Sequence, residues 1–148
     1  MRDDNLAKAL DERRGLTVQP QPADQMSPIP GHQVADAYGL LAHYTTWEAL
    51  RWMLEYESIG GDTGCWLTPT SYAACMAPYT LGLNTPRTVC LLVDVRQLPE
   101  LKGPGTSPPS GRYPTIWLGG GIEFFSPVPI PFDYVQRVIE IRPCGDTH

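Results

Sequence analysis

The sequence predicts an α+β domain built on antiparallel β-sheets, with a few short helices. Its 148 residues suit one domain with one core, and they include 16 prolines and 14 glycines. That content disfavours long helices and favours short strands joined by structured loops. Short apolar runs recur along the chain, whereas helical periodicity is confined to early segments. Together these observations indicate antiparallel sheets with small helices near the start.

The composition limits the classes of partner. Hydrophobic residues make up 42% of the chain, the net charge is −5 and the pI is near 5.0. A broad basic surface for a nucleic-acid backbone is therefore not expected. The N-terminus is charged and no long apolar run follows it, so we expect no Sec signal peptide and no membrane span.

The cysteines and histidines show no metal-binding spacing. There is no CxxC pair, and His32, His43 and His148 are scattered. We expect no metal site, and free thiols in a reducing compartment, with Cys90 buried in a strand. The other cysteines are Cys65, Cys75 and Cys144.

The chain divides into an N-terminal part, residues 1–35, and a larger domain, residues 36–148. Residues 3–14 predict a short helix with Leu6 and Leu10 on a thin apolar face, and the Pro-rich residues 19–31 predict an extended linker. We expect the N-terminal part to be an arm outside the fold, so that a chain beginning near residue 33 folds by itself. The competing hypothesis is that its helix packs on the domain through Leu6 and Leu10 and completes the core.

The larger domain predicts one secure helix among several strands. Thr45 and Glu48 match a capping box, with Thr45 as N-cap of a helix over residues 46–56 that Gly60 and Gly61 end. Residues 88–95 are β-branched and apolar, which predicts a central strand. Residues 97–112 predict a loop, and Ser71 is expected to cap a short helix. Further strands are predicted at 40–44, 64–68, 115–118, 122–125 and 135–142, the last closing the sheet.

Glu123 follows three glycines and lies in an otherwise apolar run. Ile122 precedes it and Phe124 and Phe125 follow, so water should be limited around its carboxylate. Such a carboxylate has either a partner or a catalytic role. The alternative is an edge-strand glutamate beside a flexible turn.

The order of these residues resembles the ADP-ribosyltransferase superfamily. His43 ends the first strand, a Gly-x-aromatic-x-Thr strand follows, then small residues with a tyrosine, and a late strand carries Glu123. This order resembles the His-Tyr-Glu branch shared by diphtheria-like toxins and the poly-ADP-ribose polymerases, over residues 40–141. His43-Tyr44-Thr45 also looks like the start of the HYD1-type bacterial toxin domains. The block from Gly119 to Phe124, followed by Pro129-Ile130-Pro131, looks like the C-terminal toxin domains of Rhs-type polymorphic effectors, some of which ADP-ribosylate elongation factor Tu.

The resemblance implies a fold of split antiparallel sheets, NAD as the substrate, and roles for individual residues. Glu123 would be the catalytic carboxylate that holds the 2′-hydroxyl of the nicotinamide ribose. His43 would bond a ribose hydroxyl of NAD, and the Tyr44 backbone would hold the nicotinamide amide. The branch usually has glycine after the histidine, so Tyr44 is a departure. His43 could instead be a core histidine satisfied by the backbone.

The resemblance also points to aromatic and hydroxyl groups around NAD. Trp66 and Tyr79 would sandwich the nicotinamide ring, with Tyr72 competing for the second place. The branch usually carries tyrosine where Trp66 stands. Thr68 and Ser71 would bond phosphate or ribose hydroxyls, or are only a strand end and a helix cap.

The implied function is a mono-ADP-ribosyltransferase toxin that modifies a protein in the intoxicated cell and so inhibits translation. It would be cytoplasmic, or delivered by a secretion system, and a cognate immunity protein is a candidate partner. An NAD glycohydrolase on the same fold is the second enzyme hypothesis. The contrasting class is an interaction module in which Trp47, Trp52 and the Pro-rich loops form a binding face.

Overall fold

The computed structural model describes residues 2–20, 40–60, 64–68, 88–96, 98, 101–106, 110–112, 115–117 and 122–141. Within these ranges the protein is a mixed α+β structure with two α-helices and several mainly antiparallel sheets, as the sequence predicted. The helices are α1 (Asp4–Arg14) and α2 (Trp47–Tyr56), and a 3₁₀ turn spans Phe132–Tyr134. The strands are β1 (Val18–Pro20), β2 (Leu40–Thr45), β3 (Ser58–Ile59), β4 (Cys65–Leu67), β5 (Val89–Asp94), β6 (Lys102–Thr106), β7 (Ser110–Arg112), β8 (Thr115–Trp117), β9 (Ile122–Ser126), β10 (Ile130–Pro131) and β11 (Val135–Glu140).

A four-stranded sheet in the order β1-β11-β5-β2 forms the centre of the protein. Strand β5 lies inside the sheet, as its apolar sequence predicted, and pairs antiparallel with both β2 and β11. Strand β11 is not the closing strand that we expected, because β1 pairs with its other edge in parallel. The first residues of the predicted Pro-rich linker therefore belong to this sheet.

A second sheet of three strands has the order β4-β9-β6, and two-stranded pairs form between β3 and β10 and between β7 and β8. Strands β6 and β7 lie within residues 97–112, so the prediction of a loop there is wrong for both segments. The prolines of this segment indicated a loop. Proline nevertheless occurs in edge strands, where its missing amide need not donate a hydrogen bond to a neighbouring strand.

The ends of α2 differ from the sequence prediction. The cap is Thr46, whose Oγ1 accepts a hydrogen bond from the Ala49 amide at 3.2 Å, whereas Thr45 still belongs to β2. The helix ends at Glu57, which adopts a left-handed conformation with φ of 57°, before the glycines that were predicted to end it. Strand β3 follows at once.

Helix α1 has complete caps and packs into the main core. Asp3 accepts from the Leu6 amide at 3.0 Å, and Gly15 closes the helix with φ of 65°. The two central leucines of the helix are buried together with the sheet and α2, which favours the alternative that α1 completes the core. The boundary predicted at residue 35 lies outside the described residues. The main core consists of Leu6, Ala7, Leu10, Val18, Leu41, Trp47, Leu50, Leu54, Ile59, Cys65, Leu67, Val89, Leu91, Val93, Ile130, Phe132, Val135 and Val138.

The opposite face of the four-stranded sheet carries a smaller cluster of buried residues: Ala42, Tyr44, Cys90, Ile139 and Ile141. The sheet is therefore covered on both sides, which agrees with the nearly continuous apolar sequence of β5. Cys90 is a buried free thiol, as predicted, and so is Cys65. Neither described helix is both long and apolar enough to cross a bilayer.

Candidate functional site

The two larger sheets meet where β2 runs beside β4. Ala42 and Thr68 exchange two backbone hydrogen bonds, at 2.7 Å from the Ala42 amide and 2.8 Å from the Thr68 amide. Strand β4 in turn pairs with β9, with Trp66 opposite Phe125 and Leu67 opposite Phe124. The strand order β2-β4-β9 thus brings together the three segments that carry His43, Trp66 to Thr68, and Glu123.

His43 is tied to β4 through its imidazole. Its Nδ1 lies 2.8 Å from the carbonyl oxygen of Trp66. A carbonyl oxygen only accepts, so Nδ1 carries the proton in this contact, and in the neutral ring Nε2 carries the lone pair. His43 is half-buried, on a strand edge that a second strand holds in place.

Cys65 lies beside the same ring, with Sγ 3.4 Å from His43 Nδ1. Burial raises the pKa of this thiol to about 12. The thiol therefore stays protonated near neutral pH, and His43 Nδ1 is already engaged with a carbonyl. A cysteine–histidine nucleophile is not supported at this position. The sequence analysis missed this contact, because no local spacing links Cys65 to His43.

Trp66 is the exposed aromatic residue of this region. Its side chain is 54% exposed, and its ring packs on that of Phe125, with the centroids 4.5 Å apart and the planes at 38°. Phe125 was not among the predicted site residues. Its place directly opposite Trp66 follows from strand pairing, which the sequence alone does not reveal.

The backbone of Glu123 lies one residue beyond the Leu67–Phe124 pair, next to the end of β4 where Thr68 stands. On its other side Glu123 pairs with Gly105 of β6. Strand β9 is the inner strand of the three-stranded sheet, but its pairing with β4 ends at Phe124, so the alternative of an edge-strand glutamate stays open. Its side chain is outside the described part of the structure.

Tyr44 and Thr68 are both buried, at 6% and 1% exposure. Backbone groups alternate sides along a strand, so the amide and carbonyl of Tyr44 lie on the same edge of β2 as those of Ala42, the edge towards β4. Ser71, Tyr72 and Tyr79 lie outside the described residues.

The aromatic residues of the interaction-module hypothesis lie on α2. Trp47 is 7% exposed and belongs to the core, whereas Trp52 is 57% exposed and stacks on Tyr56 with centroids 5.6 Å apart. A shallow surface groove of about 580 Å³ runs beside Trp52. None of the predicted NAD-binding residues lies among the described residues that line it: Arg2, Asp3, Trp47, Glu48, Arg51 and Trp52.

Possible metal ligands are not clustered in the described ranges. No group of three or more histidine, cysteine, aspartate or glutamate side chains there is arranged to hold an ion. Every fully buried polar side-chain atom in the same ranges has a hydrogen-bond partner.

The chain was also compared with known proteins. No family model, no curated protein and no solved structure matches it. Membership of the ADP-ribosyltransferase superfamily is accordingly a proposal, which rests on the residues and the strand order described above.

Proposed function

We propose that the protein is a mono-ADP-ribosyltransferase toxin that transfers ADP-ribose from NAD to a protein of the target cell. The observation that carries the proposal is the strand order β2-β4-β9, which makes neighbours of the segments bearing His43, Trp66 and Glu123. These segments are separated in sequence by more than 20 residues each way, and the resemblance requires them around one ligand. The split pair of antiparallel sheets also suits the fold of that superfamily.

The reaction breaks the bond between nicotinamide and ribose. Nicotinamide leaves with the bonding electron pair, and a ribosyl cation resembling an oxocarbenium ion develops before the acceptor attacks. A carboxylate near the anomeric carbon and the 2′-hydroxyl stabilises that charge, as in glycoside hydrolysis. Glu123 would supply this carboxylate.

The other residues would bind and orient NAD. Because Nδ1 of His43 faces the Trp66 carbonyl, the ring would meet a ribose hydroxyl through Nε2. The amide and carbonyl of Tyr44, on the edge of β2 towards β4, would hold the nicotinamide amide. Trp66 would stack on the nicotinamide ring, with Tyr79 or Tyr72 on its other side. Ser71 would bond ribose or phosphate oxygens, whereas the burial of Thr68, at 1% exposure, favours the alternative that it is only a strand end.

An NAD glycohydrolase is the alternative on the same site, with water as the acceptor. The protein target, for which elongation factor Tu is the candidate, and a cognate immunity protein belong to the transferase proposal. The interaction-module alternative is favoured by a separate observation, the exposed Trp52–Tyr56 pair on α2. That surface does not involve the proposed NAD site.

Incubation with labelled NAD and a bacterial lysate tests the proposal and separates the alternatives. Label on one protein band supports a transferase, and free ADP-ribose alone supports a glycohydrolase. Label on nucleic acid would contradict a protein target, and intact NAD would overturn both enzyme proposals.

Glu123→Gln tests the assignment of the catalytic residue. We expect turnover to fall at least about 100-fold with little change in NAD affinity, because the carboxylate acts on charge that exists only in the transition state. Glu55→Gln, which removes an exposed carboxylate from α2, is the matched control and should keep full turnover. Wild-type turnover in Glu123→Gln would remove Glu123 from the mechanism.

A further inference from the structure

Trp66 does not stand alone on the surface of β4. Half of its side chain is exposed, and one part of the indole is covered by the Phe125 ring at 4.5 Å between centroids. The two residues are direct cross-strand partners, a placement in which aromatic pairs stabilise each other. The indole therefore has one supported side and one exposed side.

The ring of Phe125 also lies close to the backbone of Gly64, two residues before Trp66. A Cβ built on Gly64 would lie only 2.6 Å from Cζ of Phe125, so the ring occupies space that any other residue would fill. Gly64 also has φ of 90°, a conformation that other residues rarely adopt. The Phe125 ring thus contacts the Trp66 indole and fills the space that a side chain at residue 64 would occupy.

We propose that Phe125 is a positioning residue that fixes the Trp66 indole as a rigid platform for the nicotinamide ring of NAD. The inference rests on the proposed function for the identity of the ligand, and it adds Phe125 and Gly64 to the residues that shape the site. An exposed tryptophan on a short strand otherwise rotates about its side-chain torsions, and ordering it on binding costs affinity. Packing against Phe125 fixes the orientation of the Trp66 indole before NAD binds.

The neighbouring Phe124 provides the matched control. It lies on the same strand, it is also half-buried, and it packs against the main core rather than on Trp66. Phe124→Leu and Phe125→Leu remove equal ring area from adjacent positions. A general loss of packing should affect both variants, whereas a loss of platform order should affect only Phe125→Leu. Phe125→Met, whose unbranched side chain has about the volume of leucine but adapts to irregular gaps, is a second variant without a ring and guards against a folding defect specific to leucine.

The experiment measures dissociation constants for NAD and for ADP-ribose, which lacks nicotinamide, by calorimetry on folded full-length variants. We expect Phe125→Leu and Phe125→Met to weaken NAD binding about three- to ten-fold, which is the change in dissociation constant expected for the loss of one aromatic pair. ADP-ribose binding should weaken less than about two-fold. Phe124→Leu should leave both constants within about two-fold. Equal NAD affinity in Phe125→Leu and Phe124→Leu would overturn the positioning role and leave the proposed function standing. Absence of NAD binding by the wild-type protein would overturn the proposed function, and the platform with it.

Discussion

At the scale of single residues, the two ring nitrogens of His43 have different roles, one structural and one proposed for binding NAD. Nδ1 joins strands β2 and β4 at 2.8 Å, and Nε2 is the atom proposed to meet NAD. His43→Asn retains an amide donor near the Nδ1 position but has nothing at Nε2. We expect this variant to melt within about 2 °C of the wild type and to bind NAD at least about ten-fold more weakly.

His43→Ala is the companion variant for that measurement. It removes the strand contact as well, so both the melting temperature and the affinity should fall. Unchanged NAD affinity in His43→Asn, measured by calorimetry, would make His43 a core histidine, the alternative that the sequence left open.

The two described thiols should resist modification. Burial raises the pKa of Cys65 and of Cys90 to about 12, although a side-chain hydrogen bond with Tyr44 acts to lower the pKa of Cys90. Both stay protonated in the folded protein at pH 8, and the thiolate is the reactive form. Iodoacetamide labelling followed by peptide mass spectrometry should show both residues unmodified in the native protein and modified in urea. Rapid native labelling of Cys65 would contradict the buried, protonated thiol.

The raised pKa values of both thiols also predict how the stability of the protein changes at alkaline pH. Between pH 9 and about 12 the unfolded chain has lost these protons while the folded chain retains them, so the free energy of unfolding falls as pH rises. Cys65→Ser and Cys90→Ala should each flatten the fall in melting temperature above pH 9.

At the scale of elements, the N-terminus of α2 depends on Thr46. Its hydroxyl satisfies the Ala49 amide, and loss of such a cap costs about 1 kcal/mol. Thr46→Ala should therefore lower the melting temperature by about 3 °C for a chain of this size. Thr46→Ser keeps the oxygen and should melt close to the wild type in the same calorimetric scan. Equal loss in both variants would mean that the methyl group, and not the cap, is what stabilises this turn.

Thr46 also shows which parts of the fold the sequence could predict. Periodicity identified α2 and the apolar run identified β5, because both signals are local. The sequence indicated Thr45 as the cap, one residue before the observed cap, because Thr45 and Thr46 carry the same hydroxyl group. The extension of β2 through Thr45 decides between them. Glu123 stood out in its own local sequence, whereas only the resemblance to the ADP-ribosyltransferase superfamily indicated His43 and Trp66 as site candidates. The pairing of Trp66 with Phe125 and the nearness of Cys65 to His43 depend on contacts between strands, which local patterns do not encode.

At the scale of the whole molecule, helix α1 is attached to the domain by more than its apolar face. The Arg14 guanidinium bonds Glu57 at 2.6 Å and Asp133 at 2.5 Å, and lies 5.5 Å from the centre of the Phe132 ring. One side chain of α1 thus contacts both the C-cap of α2 and the 3₁₀ turn before β11. Asp3 adds an ion pair with Arg51 of α2. These contacts surround the buried face of α1 and fix it against the larger domain.

Removal of the N-terminal part should therefore destabilise the protein, contrary to the expectation from the sequence that it is a separate arm. Leu6 and Leu10 are 5% and 0% exposed in the main core, and β1 pairs with β11, so a chain that begins at residue 33 loses core area and one strand. We expect it to melt more than about 8 °C below the full chain, which corresponds to a few kcal/mol at this size.

The point variant Leu10→Ala locates the origin of that loss. A fully buried leucine cut to alanine costs about 2–5 kcal/mol, depending on how far the cavity collapses. Lys8→Ala changes an exposed side chain of the same helix, whose ion pair with Glu12 spans 3.8 Å at the surface, and should cost less than about 0.5 kcal/mol. Urea unfolding of both variants measures the difference directly. If Leu10→Ala and Lys8→Ala are equally stable, α1 does not contribute to the core, and the chain from residue 33 should then fold and act on NAD by itself.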